Sequence, residues 1–65
     1  MTFQEKLARL NANPKYNFHV FAEYTGGKYD YFRSFETLER AENFAKKLTA
    51  ALVYDREGVD VAFFP

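Results

Sequence analysis

The apolar residues of this chain recur with a period near four, then two, then four again, and each change marks a new element. Phe3, Leu7 and Leu10 fall at i, i+4 and i+7, the single stripe of a short amphipathic helix. Thr2-Phe3-Gln4-Glu5 has the spacing of a capping box, in which the Thr2 hydroxyl accepts from the Glu5 amide and Glu5 bonds back. Asn11 or Asn13 in a left-handed conformation would close the helix, and Pro14 forbids its continuation, so a helix is expected over residues 3–11. A helix this short is marginal alone, and its stripe must dock on other structure.

From Tyr16 to Phe35 the period is two. Tyr16, Phe18, Val20, Ala22 and Tyr24 alternate with Asn17, His19, Phe21 and Glu23, and Thr25-Gly26-Gly27-Lys28 follows. Adjacent glycines suit the two positive-φ positions of a type I′ hairpin turn. With Gly26-Gly27 as the loop, Thr25 faces Lys28 and the register runs outward. One face then pairs Tyr24 with Tyr29, Ala22 with Tyr31, Val20 with Arg33 and Phe18 with Phe35. The other pairs Glu23 with Asp30, Phe21 with Phe32 and His19 with Ser34.

Leu38, Ala41, Phe44, Ala45, Leu48 and Leu52 form a second helical stripe, with Thr37 the preferred N-cap. Glu36 with Arg40 and Glu42 with Lys46 stand at i, i+4 in the favourable order. Asp55-Arg56-Glu57-Gly58 fits a type I turn, and Val59, Val61 and Phe63 alternate with Asp60, Ala62 and Phe64 as a half-buried strand. Residues 52–54 allow one further short strand. The expected fold is one α+β domain over 1–65, a two-layer sandwich in the order α-β-β-α-β(-β). Its antiparallel hairpin sheet would carry both helices on one face, over the Tyr and Phe side of the hairpin.

Composition sharpens this reading. A chain of 65 residues buries only about 60% of its unfolded surface, so its core must be dense. Eight Phe and five Tyr supply that density. No cysteine is present, which excludes disulfides and thiolate metal sites and points to a reducing, cytoplasmic setting. No basic segment followed by a long apolar run suggests a leader, and no apolar stretch nears the ~20 residues that span a bilayer. Nine acidic residues balance nine basic ones, so no overall excess steers a polyanion or mimics one.

Candidate chemistry is sparse. His19 and Ser34 are expected neighbours across the hairpin, the pair from which a nucleophile and its base are made. A triad needs a third group on the imidazole and an oxyanion hole in a concave site, and Glu36, close in sequence, is expected past the strand end. Glu23 facing Asp30 at the turn end reads as a solvated carboxylate pair. One His and no Cys leave no zinc site, and the acids of the 55–58 turn are too few for calcium. No phosphate-cradling motif is present, and no cofactor is expected.

Aromatics on the second hairpin face carry the functional expectation. His19, Phe21 and Phe32, flanked by Glu23 and Asp30, form a partner-binding surface unless the first helix or the Phe63-Phe64-Pro65 tail covers them. Lys15, Lys28 and Arg33 look scattered along the chain, and Glu23 and Asp30 repel phosphate, so a protein partner or a second copy of the chain is expected before nucleic acid. Base stacking on the sheet aromatics is the alternative. The size and aromatic character are those of small phage-encoded inhibitors, a likeness of scale that no motif here carries. The reading is a non-enzymatic protein-interaction module, an inhibitor or adaptor.

Overall fold

A computed structural model of the chain describes residues 2–24 and 26–65. Its elements are α1 (Phe3–Asn11), β1 (Phe18–Tyr24), β2 (Lys28–Phe35), α2 (Leu38–Ala45), β3 (Ala51–Asp55) and β4 (Asp60–Phe64). The fold is α+β, with an antiparallel four-stranded sheet in the order β2-β1-β3-β4. The optional strand of the sequence is β3, and it is central. Leu52, the last member of the expected helical stripe, belongs to that strand, because α2 stops at Ala45 and the chain turns through 46–50.

Each helix begins where its cap dictates. The Thr2 hydroxyl accepts from the Glu5 amide at 3.2 Å and itself donates to the Glu5 carboxylate at 3.2 Å. The Thr37 hydroxyl likewise accepts from the Arg40 amide. At the far end of α1 no asparagine turns left-handed. Ala12 is the C-cap at φ −60°, while Asn11 and Asn13 keep their side chains for other partners.

The two helices lie on opposite faces of the sheet, not together on one. Strand alternation is the reason. Val20 and Ala22 on β1, with Ala51 and Val53 on β3, point to α2 and form the core with Ala41 and Ala45. Four small alanines at this crossing let the helix approach the strands closely. His19, Phe21 and Tyr54 point the other way, and there Phe3 of α1 packs its ring against Phe21 at 5.6 Å and Tyr54 at 4.9 Å. A sheet apolar on both faces needs a cover on each.

The hairpin register departs from expectation and then returns to it. Tyr24 pairs with Lys28, so three residues, not two, separate the strands, and the Gly27 amide donates to the Tyr24 carbonyl. Thr25, expected opposite Lys28, lies outside the described residues. Glu23 therefore faces Tyr29, Ala22 faces Asp30 and Phe21 faces Tyr31, one step off the expected pairs. A β-bulge at Phe32 cancels the slip. Beyond it Val20 faces Arg33, His19 faces Ser34 and Phe18 faces Phe35, as the alternation predicted. Tyr24 and Tyr29, expected in the core, are exposed, and Tyr31 joins the α1 face against Phe21.

Ala50, between α2 and β3, is held at φ +51° while its carbonyl accepts from the Glu23 amide. A left-handed conformation costs a Cβ-bearing residue about 1–2 kcal/mol. Ala50→Gly should remove much of that cost and raise the midpoint of thermal unfolding by several degrees, the shift of about 4–8 °C per kcal/mol usual for a small domain. Gly58→Ala should do the reverse: it sits at φ +83°, and an added Cβ would stand 3.0 Å from Leu7 Cδ2 and 3.3 Å from the Phe3 ring. Thermal melts of the two variants check both signs.

Candidate functional site

His19 is fully buried beneath α1, and both its ring nitrogens are bonded. Nε2 lies 2.8 Å from Asn11 Oδ1, and Nδ1 lies 2.7 Å from Ser34 Oγ. The Asn11 amide nitrogen donates to the Arg56 carbonyl at 2.6 Å, which leaves its oxygen to accept, so the imidazole proton sits on Nε2. Nδ1 then accepts from the Ser34 hydroxyl, whose oxygen takes the Tyr31 hydroxyl proton at 3.0 Å. The donors run in one direction, from Tyr31 through Ser34, His19 and Asn11, and end on the Arg56 carbonyl as acceptor.

Arg56 closes the network from the other side. Its guanidinium donates to the carbonyls of Asn11, Asn13 and Tyr16, at 2.7, 3.3 and 2.6 Å. These carbonyls lie where α1 ends and the chain turns toward β1, and that of Asn13 also accepts from the Tyr16 amide. Burial, and then the nearby Arg56 charge, pushes the His19 imidazole below its ordinary value of 6.5. It is therefore neutral in the folded protein at neutral pH. In sequence Arg56 looked like a turn residue, and only its place between Asp55 and Gly58, in a turn that α1 overlies, hints at more.

Chemically, a serine hydroxyl donating to an imidazole that an amide orients is the geometry of an activated nucleophile. Here the hydroxyl is buried and also engaged by Tyr31, and the imidazole is sealed under α1. The arrangement functions as a polar rivet between helix and sheet.

The expected partner surface is divided by this packing. His19 and Phe21 lie in the interior, covered by the first helix, and neither presents a face to a partner. Glu23, Asp30 and Phe32 remain exposed, but they are not assembled around the other two. Glu23 and Asp30 do not face one another. Asp30 pairs with Lys6 at 2.9 Å, and the hydrogen bond from Lys6, with another from the Tyr31 amide, holds its carboxyl below the usual range. Phe32, as the extra residue of the bulge, is 47% exposed on edge strand β2. The opposite edge repeats the device: Val61 is the extra residue of a bulge in β4 and is 41% exposed.

Two concavities stand out among the described residues. A small one of about 160 Å³ lies between the start of α1 and Tyr29, below the size of ordinary ligand sites. The larger, about 410 Å³, runs between β2 and α2. Lys15 and Arg33, scattered in sequence, meet there with Arg40 and Lys47. The expected Glu36–Arg40 pair is replaced by Glu36 with Lys15 at 3.3 Å. Among the described residues no three of His, Asp and Glu converge as metal ligands would, and no helix is long and apolar enough to cross a membrane.

Two measurements test the rivet. A buried neutral His contributes stability in full above pH 6.5, the unfolded value, and that stability is lost as pH falls through the lower folded value. Urea unfolding between pH 7.5 and 5 should show a steeper decline for the natural chain than for His19→Gln. Arg56→Met should cost about 2–3 kcal/mol in the same assay, since hydrogen bonds from a charged donor are lost to partly buried carbonyls.

Comparison of the chain with models of known families, with curated proteins and with solved structures finds no match.

Proposed function

We propose that this chain is a non-enzymatic protein-interaction module, an inhibitor or adaptor that works by occupying a partner protein's surface. The observation that carries the reading is the exposure of Phe32, which a bulge turns outward on an edge strand. Tyr29, 41% exposed, adds a second exposed ring on the same strand. Exposed aromatics of this kind are the usual anchors of protein interfaces. The bulge that exposes Phe32 also interrupts the edge, which favours side-chain docking over strand addition. His19 and Phe21 serve the surface from beneath by fixing the strands that carry it. The non-enzymatic part of the reading rests on Ser34 and His19 being engaged with one another and with Asn11 and Tyr31. A chain without cysteine suits the reducing cytoplasm, and a second copy of the chain is one partner the surface could take.

A tagged pull-down from source-cell lysate, with nuclease treatment, tests this. Tyr29→Ser with Phe32→Ser should abolish recovery of a stoichiometric protein while leaving the chain folded, because neither side chain belongs to the buried core. Phe21→Ser should instead unfold the chain, in line with the 3–5 kcal/mol typical of removing a buried Phe. Retention of the partner by the double variant overturns the proposed surface. Sedimentation of both proteins identifies self-association: a dimer that the double variant reduces to a monomer makes the partner a second copy.

A further inference from the structure

We infer that the groove between β2 and α2 is a second binding site, and that its ligand is a segment of single-stranded nucleic acid held by its phosphates. The groove gathers Lys15, Arg33, Arg40 and Lys47 against one carboxylate, Glu36. The chain is neutral as a whole, so the rest of the molecule keeps five cations and eight carboxylates. Balanced composition thus conceals a polar molecule, with positive charge concentrated at one concavity. Clefts lined by one sign of charge focus the field and concentrate ions of the opposite sign.

The type and spacing of the cations favour phosphodiester. Arg33 and Arg40 present planar forks that match phosphate oxygens, and all four cationic residues are exposed. Arg40 and Lys47 are seven residues apart along α2 and the turn after it, a row on the order of 10 Å at helical rise. A strand carrying one charge every ~3.4 Å to several ångströms would set two or three phosphates along that row. Rings line the same groove. Arg33 lies over Phe35 at 5.5 Å, Phe35 packs against Phe44 at 5.3 Å, and Lys15 lies over Tyr16 at 5.8 Å. A positively charged groove tracking a backbone beside aromatic rings is the common design of single-strand binders. These rings are half-buried and already engaged by the cations and by one another, so they form the groove's wall beside the backbone and leave base stacking a minor part.

The site is separate from the aromatic edge proposed above, and neither reading depends on the other. Titrating a labelled ten-nucleotide oligothymidylate with the full chain, followed by fluorescence anisotropy from 20 to 200 mM salt, tests it. The expected result is binding whose logarithm falls with log salt at a slope of about −2 to −3, the value for three or four cations on a single strand. Arg33→Gln with Arg40→Gln should weaken binding at least tenfold and reduce the slope by about 1.4. Lys15→Gln with Lys47→Gln should do the same on the other pair, and circular dichroism confirms that each variant is folded. Arg9→Gln with Lys28→Gln, cations outside the groove, should leave affinity within about twofold. Absence of binding at 20 mM salt, equal loss from the Arg9 and Lys28 pair, or equal competition by polyglutamate of matched length each overturns the assignment. The last would identify an acidic protein segment as the occupant.

Discussion

A buried imidazole with both nitrogens bonded fixes where the first helix can sit, and much of the architecture follows from that. His19 points to the face opposite Val20 and Val53, so its partner Asn11 must come to that face, bringing α1 with it. Arg56 then binds the carbonyls at the end of α1, and the turn that carries Arg56 is packed under Phe3 and Leu7 at Gly58. Apolar packing at one end of the helix and polar pairing at the other make a short helix stable that would not persist alone. The same contacts enclose Phe21 and bury the aromatic face of the hairpin.

Much of the fold was legible because local chemistry decided it. Both N-caps, the first helical stripe, the second as far as Ala45 and the hairpin pairs from Val20 to Phe18 are properties of neighbouring residues, and they appear where the pattern put them. The side of the sheet that receives α1 was not legible. A helical stripe says that a helix docks, not on which face, and the deciding contact joins Asn11 to His19 across a loop. The third strand was obscured because Ala51 to Asp55 is short and its Leu52 continues the preceding helical spacing.

The candidate surface was partly legible for the same reason. Phe32 is exposed as expected, whereas Phe21 and His19 lie under a helix whose placement depends on distant contacts. The register error had a separate origin. Two glycines suit a two-residue turn, but the strands pair as a three-residue loop with a bulge, a combination that leaves the far pairs unchanged. Convergence of Lys15, Arg33, Arg40 and Lys47 is a tertiary property of three separate segments, with no signature in any one of them.

The loop and the bulge at Phe32 act together as a vernier in the hairpin. One extra residue at the tip shifts the pairs from Tyr24 to Phe21 by a single step, and one extra residue in β2 shifts them back. The segment holding His19 and Ser34 in phase is thereby insulated from the tip. A one-residue slip between the turn and the bulge would displace Tyr31 from Phe21 and leave the far pairs in phase, while a change in length between Arg33 and Phe35 would move Ser34 to the wrong side of the sheet. The hairpin therefore holds two registers, divided at one phenylalanine.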